Sequence, residues 1–404
     1  MWVRVDGTRR PIALGLALAR GGEGTVYAID GDSASAAKIY HRERTEQVEQ
    51  LSTRARKLAA MLGNPPRTLT IKTAQAVLPL LVWPTHLIEA DDESFSGFQM
   101  PLLGREKNVS VSLSRYLTDM NARRELVEGE LCLPSRVTLC RSLAGIVADL
   151  HAQNHYVIDF KPDNLRVFRG SCIPCFLDTD SFSIEAKDGE RFPASAITPE
   201  CTCPELLAGD SKMESVGVNQ DLFALAVMLF QILNRNIHPF VGIRRDLARG
   251  EEDLIKDRIR LGLYGYGLKP HPNIDPVGGS DHDCLPETTR NLFDQALTGT
   301  QPQNRPTAKQ WKDHFNFFLR GGGKFERCEK HPQSMLHIHF PGTACPECRQ
   351  LSRMPTKAAP AEPAHMPEPA AAPEAPKAAR PKRKLLRAIV IAGAVLLLWY
   401  LVTH

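Results

Sequence analysis

Apolar and polar positions divide the 404-residue chain into four stretches. From residue 1 to about 320, apolar residues recur at mixed strand and helix periods between short Gly and Pro breaks, as in ordinary folded sequence. Strand-like stretches flank a glycine-rich turn at Gly21–Gly24, and an apolar strand is expected through Ala36–Tyr40. A helical run follows over Thr45–Leu62, and a strand at Gly97–Phe98. Residues 325–352 are short, compact and rich in Cys and His. Residues 353–383 alternate Pro and Ala with few large apolar groups, so an extended tether is expected there. Residues 385–402 form an apolar run broken only by Arg387, and the helix expected there covers 384–402. No internal repeat at a fixed period is visible.

That last run has the length of a membrane anchor. About 18 residues at 1.5 Å rise reach roughly 27 Å, enough to span hydrocarbon. Arg387 can snorkel at one end, while Trp399 and Tyr400 suit the interface at the other. Arg380, Lys382, Arg383 and Lys384 precede it, which predicts a single-pass inner-membrane protein with its N-terminal bulk in the cytoplasm. The opening Met1–Arg10 has no apolar run behind its charges, so no secretory signal is expected.

Composition narrows the class. Hydrophobic residues make up 43% and charged residues 24%, which excludes a wholly disordered chain. A net charge of +4 excludes a strongly basic nucleic-acid wrapper, and no nucleic-acid partner is expected. Ten cysteines in so long a chain do not make a disulfide framework; their local spacing matters more.

Chemistry concentrates in a few segments. The turn Arg20-Gly21-Gly22-Glu23-Gly24-Thr25-Val26 lets backbone N–H groups approach phosphate oxygens, although a plain hairpin has the same composition. Lys38, on an apolar strand, calls for an anionic partner such as a phosphate. Asp159-Phe160-Lys161-Pro162-Asp163-Asn164 and, 19 residues after Asp159, Asp178 are the decisive set. They suit Mg-assisted phosphoryl transfer. Asp159 would orient the acceptor hydroxyl and Lys161 neutralise the moving phosphoryl, while Asn164 and Asp178 would offer oxygen ligands to Mg²⁺.

This ordered set resembles the protein kinase family over residues 12–318, narrowly a bacterial branch with G-G-E-G-x-V-Y, A-x-K-I-Y-H and D-T-D-S-F. The resemblance implies an α+β, two-lobed fold with an N-lobe to residue 103 and a C-lobe over 104–320. ATP would lie between the lobes, against Ala19, Gly21, Gly22, Gly24, Val26, Ala36 and Lys38. The adenine hinge is expected near Gln99–Leu102, with Met100 and Leu102 as candidates. Glu205, Asp221 and Arg305 match the family's structural residues. A Lys two residues after the catalytic Asp points to Ser or Thr acceptors. Relatives of the branch act beside metal-dependent Ser/Thr phosphatases and von Willebrand A-type proteins, so the resemblance implies such partners as well as a cytoplasmic protein substrate.

Several positions depart from the family pattern. Ala19 replaces the first loop glycine, Val157-Ile158 replace His-Arg, and Asp178-Thr179-Asp180 replace Asp-Phe-Gly. Arg166 stands where apolar floor is usual. The helix glutamate that should pair with Lys38 is Glu46 or Glu49. The two resulting readings are a membrane-anchored Ser/Thr kinase and a pseudokinase scaffold that binds nucleotide or partners without phosphoryl transfer.

Cys328-x-x-His331 and Cys345-x-x-Cys348 are two close ligand pairs, suited to a structural, tetrahedral Zn²⁺. His337 and His339 compete with His331 for the second position. Cys172-x-x-Cys175 has no second pair nearby and reads as ordinary hairpin sequence.

Overall fold

The N-terminal end builds one antiparallel sheet. The computed structural model describes residues 1–353 apart from 6–7, 42–47, 105–108, 123–127, 210–211, 213–214, 216, 248–251 and 299–300. The first strands are β1 (Trp2–Val5), β2 (Thr8–Pro11), β3 (Leu14–Arg20), β4 (Gly24–Ile29) and β5 (Asp32–Tyr40). Helix α1 (Val48–Gly63), the hairpin β6 (Thr70–Lys72) and β7 (Val77–Pro79), and strands β8 (His86–Glu89) and β9 (Phe95–Pro101) follow. Seven of the strands lie in the order β2-β1-β8-β9-β5-β4-β3. In β5, Ala36, Lys38 and Tyr40 share one face, and Ala37 points the other way to pack with Val3, Ile29 and Ile88. Gly97 opposes Ile39, where an added Cβ would stand 2.0 Å from the Lys38 carbonyl oxygen. That close approach excludes any side chain at 97 and keeps β5 and β9 tight around Lys38.

The remainder is mostly helical. Strand β10 (Ser110–Ser112) precedes α2 (Leu113–Ala122), α3 (Glu128–Leu131) and α4 (Leu133–His151). Strands β11 (Leu165–Phe168) and β12 (Ile173–Phe176) form the expected hairpin and pair onto β10. Then come β13 (Ile184–Glu185), β14 (Arg191–Phe192), α5 (Pro204–Leu207) and α6 (Val218–Leu233). Helix α6 is apolar nearly all round and is buried accordingly. Strands β15 (Gly242–Arg244) and β16 (Ile274–Pro276) flank α7 (Ile255–Arg260), and α8 (Glu287–Leu297) and α9 (Ala308–Leu319) pack behind. The start of α9 carries a capping box between Thr307 and Gln310.

The Cys/His segment contributes β17 (Glu326–Arg327), β18 (Ile338–His339) and α10 (Pro346–Arg353). It does not stand apart. Phe340 is buried in the main core, 4.8 Å from the Phe318 ring. Arg235 donates to Asp281 at 2.7 Å and to Glu347 of α10 at 2.8 Å, and Gln350 donates to Asp281 at 3.1 Å.

The structure is thus a mixed α/β body, and one part of the expected fold class is corrected. Among the described residues no helix is long and apolar enough to cross a membrane. The most thoroughly buried helix, α6, has 16 residues and carries Gln220 and Asp221, both engaged in core hydrogen bonds. The run expected to form a transmembrane helix, 384–402, and the tether at 354–383 lie outside the described residues.

Candidate functional site

Two carboxylates converge on Lys38. Its Nζ donates to Asp178 Oδ1 at 2.6 Å and to both oxygens of Asp180 at 2.8 Å. The Tyr40 hydroxyl, two residues along the same face of β5, donates to Asp180 Oδ2 at 2.7 Å. Both acids come from one short turn: Asp178 has left-handed backbone, φ 50°, and Thr179–Ser181 form a 3₁₀ turn after it. A non-glycine residue there costs about 1 kcal/mol. Two hydroxyls pin the turn, Thr179 on the Val82 carbonyl and Ser181 on the Asp178 carbonyl, each at 2.7 Å.

The electrostatics follow from this packing. Burial disfavours the Lys38 ammonium, but Asp180 and Asp178 outweigh it and raise its pKa. Burial pushes the Asp178 carboxyl up, with Lys38 opposing and Asp180 reinforcing. Burial also disfavours ionised Asp180, yet Lys38 and Tyr40 hold its carboxyl below the usual range.

On the α1 side the neighbours are basic. Arg54 makes two 3.0 Å hydrogen bonds to Glu23 and lies 4.7 Å over the Tyr40 ring. Buried Lys57 donates to the Pro193 carbonyl at 3.0 Å, and burial brings its pKa down to about 8. These groups line a cavity of about 550 Å³ with Thr53 and Ser195. Glu46 and the Glu49 side chain, the expected partners of Lys38, lie outside the described residues.

Asp159 forms a second centre. It is buried, and its Oδ1 accepts the Thr198 hydroxyl at 2.5 Å while Oδ2 meets Lys161 Nζ at 2.7 Å. Asn164 Nδ2 donates to the Asp159 carbonyl at 3.1 Å. The Leu177 amide donates to the Asn164 carbonyl at 2.8 Å, which draws the residue before Asp178 to Asn164. Upstream, Ile158 sits at φ 62°, an uncommon conformation for a β-branched side chain. Asp221 of α6 holds it there by accepting from the Val157 and Ile158 amides at 2.8 and 2.7 Å, and it meets His151 Nε2 at 2.9 Å. Arg305 closes a two-bond pair with Glu205, at 2.5 and 2.8 Å, and caps the Asn219 carbonyl at 3.1 Å.

The candidate nucleotide residues are distributed unevenly. Ala19, Gly21 and Gly22 are exposed at the β3–β4 turn, closed by a 2.9 Å bond from the Gly21 amide to the Gly24 carbonyl. Gly24 is buried, and an added Cβ would stand 2.6 Å from the Ile39 carbonyl oxygen. Strand packing alone therefore demands that glycine. Val26 pairs opposite Lys38, and Ala36 opposite Met100. The Leu102 amide donates to the Ala34 carbonyl at 2.8 Å, so this expected adenine donor is already engaged in the sheet. Arg166 bonds the Ser110 hydroxyl and carbonyl, at 3.1 and 2.5 Å.

The Cys/His segment gathers Cys328, His337, Cys345 and Cys348, with ligand atoms all within 4.8 Å of one another. Here the expected second ligand changes. His331 is exposed in the turn after Cys328, whereas the 3₁₀ turn Met335–His337 delivers buried His337 with Nδ1 3.5 and 3.4 Å from the Cys345 and Cys348 sulfurs. Cys172 and Cys175 are buried thiols of the β11–β12 hairpin, and burial raises both pKa values, that of Cys172 to about 11.

Thr198 was not anticipated. Its only signal was a hydroxyl residue shortly before Pro204-Glu205. Asp180 was visible only as a departure from Asp-Phe-Gly.

The Lys38 and Asp159 centres thus gather acidic and basic residues that the sequence singled out. No protein family model matches the chain. The chain is similar to two curated relatives, protein kinase YegI of Escherichia coli strain K12 and protein kinase YegI of Escherichia coli O157:H7. Each is 28% identical over 350 residues, covering 83% of this chain and 48% of the relative. The chain thus spans about half the length of the curated relatives it matches. The similarity supports a bacterial protein kinase family and a kinase-like function.

Proposed function

We propose that the chain is an ATP-dependent protein kinase that transfers the γ-phosphoryl group to Ser or Thr hydroxyls of a protein. The observation that carries this reading is Asp159, a buried carboxylate already accepting a hydroxyl from Thr198 on one oxygen and Lys161 on the other. In the proposed reaction Asp159 orients the acceptor hydroxyl and takes its proton as the acceptor O–P bond forms and the bond from the γ-phosphorus to the β,γ-bridging oxygen breaks, releasing ADP. Lys161 offsets charge on the transferring group, and Lys38 offers its ammonium to the nucleotide phosphates. The Asp178 carboxylate is 44% exposed and the Asn164 amide nitrogen is turned toward Asp159, so an exposed carboxylate and an amide oxygen make an oxygen donor pair that fits Mg²⁺. Bound there, Mg²⁺ would neutralise phosphate charge. Cys328, His337, Cys345 and Cys348 fit a structural Zn²⁺, since three thiolates and one imidazole satisfy a closed tetrahedral site.

A second reading has its own observation. Lys38 holds both Asp178 and Asp180, an ion cluster that a nucleotide-binding scaffold could keep without transfer. The full chain, incubated with γ-labelled ATP, Mg²⁺ and a generic protein acceptor beside Asp159→Asn, separates the two. Label on Ser or Thr that vanishes in the variant supports the kinase. Mg-ATP raising the melting temperature with no label supports the scaffold.

A further inference from the structure

We propose that Asp180 is the residue that positions Lys38 for the nucleotide phosphates, leaving Asp178 available to the metal; this rests on the kinase reading. The two acids that share Lys38 are not equivalent. Asp178 makes one contact, through Oδ1, and its side chain is 44% exposed. Asp180 offers both oxygens and its side chain is 5% exposed. Asp180 also accepts from the Tyr40 hydroxyl, so β5 supplies two donors from one face to a single carboxylate. A buried carboxylate held by three hydrogen bonds has little freedom to leave; a half-exposed one held by a single bond can turn to another cation.

The remaining charges around the pair agree with this division. Among the described residues, Arg54 and Lys57 of α1, with Glu23 and Tyr40, are titratable groups that face it. Arg54 is committed to Glu23 and Lys57 to the Pro193 carbonyl. Among the described residues, the carboxylates that reach Lys38 are Asp178 and Asp180. The anchor of Lys38 and the proposed metal carboxylate therefore belong to one turn, two residues apart, stapled by Thr179 and Ser181. Asp180 is a positioning residue in this account, acting through Lys38.

The test uses the full chain and three variants: Asp180→Asn, Asp180→Glu and Tyr40→Phe. Steady-state kinetics in ATP give the first readout. Asp180→Asn is expected to lower kcat/KM for ATP about a hundredfold, as misplacement of a reacting group does. Asp180→Glu should recover about tenfold of that loss, and Tyr40→Phe should cost a few-fold. A kcat/KM for Asp180→Asn within about twofold of wild type overturns the proposal. The second readout needs no turnover: acetylation of Lys38 by acetic anhydride at pH 8, followed by peptide mass spectrometry. Removing the paired carboxylate frees the amine, so Asp180→Asn should label Lys38 about tenfold faster than wild type. Should Asp180→Asn fold poorly, Tyr40→Phe gives the same direction at smaller size. Unchanged Lys38 labelling with Asp159-dependent transfer intact overturns the proposal alone. Absence of Asp159-dependent transfer in the wild-type chain overturns the kinase reading and the proposal with it.

Discussion

The Lys38 centre and the Cys/His cluster hold their atoms together in opposite ways. Around Lys38, protein charges answer one another: an ammonium, two carboxylates and a phenol close into a set that burial strengthens. In the cluster, three sulfurs and an imidazole nitrogen crowd within 4.8 Å of one another, a donor set for a soft metal rather than an ion pair. The first centre is built from residues about 140 positions apart, the second from residues within 20 positions. A long-range centre can rely on the fold that surrounds it. A local one with few apolar residues of its own needs a bound ion or a neighbour to dock on, and this segment has the neighbour in Arg235 and Asp281.

Four perturbations would sharpen or break that contrast. The largest effect is expected at the active carboxylate: Asp159→Asn should lower phosphoryl transfer by about a thousandfold, read from labelled acceptor, with the melting temperature nearly unchanged. Next is metal removal. Chelation, or Cys348→Ser, should open residues 325–353 to limited proteolysis while the Lys38 centre keeps its Mg-ATP thermal shift. If that shift disappears together with the segment, the two centres are not independent. Third, Arg235→Met leaves Asp281 and Glu347 buried without their shared cation. A loss of about 3 kcal/mol in denaturant unfolding is expected, with earlier cleavage near α10.

The smallest effect is a pH dependence at the edge of the Lys38 centre. The Lys57 amine is depressed from 10.5 to about 8 by burial. Above pH 8 the folded chain releases this proton, and the unfolded chain keeps it until about 10.5. Stability contributed by position 57 should therefore rise with pH between those values, by at most about 3 kcal/mol. Lys57→Met should flatten that rise in unfolding curves taken from pH 7 to 10. A rise of equal size in the variant would show that burial at Lys57 is not its origin.

Much of the arrangement was legible because it is written locally. Asp159, Lys161 and Asn164 sit on one short loop, and across the β11–β12 hairpin the amide of Leu177, the residue before Asp178, donates to the Asn164 carbonyl. Asp221 and Arg305 were named as structural residues, and each serves backbone: Asp221 the Val157 and Ile158 amides, Arg305 the Asn219 carbonyl. What was not legible depended on distance or on a choice between near neighbours. Asp180 looked like a broken motif, because only the fold brings it across 142 positions to Lys38. His331 had the tidier spacing to Cys328, yet a single 3₁₀ turn selects His337. Leu102 looked free for adenine until β5 took its amide. The apolar run at 384–402 was read from hydropathy alone and lies outside the described residues, among which no helix is long and apolar enough to cross a membrane.

The Arg235 junction also has a history in time. Buried Arg136 and half-buried Arg235 lie against Asp281, and the second acid, Glu347, is encoded 112 residues after Arg235. As the chain leaves the ribosome in order, the helical body is made before its last counter-charge. Until α10 emerges, Arg235 is without that carboxylate. The stability of the pair is gained only once residue 347 has been made, as a cooperative step that any truncation before it would remove.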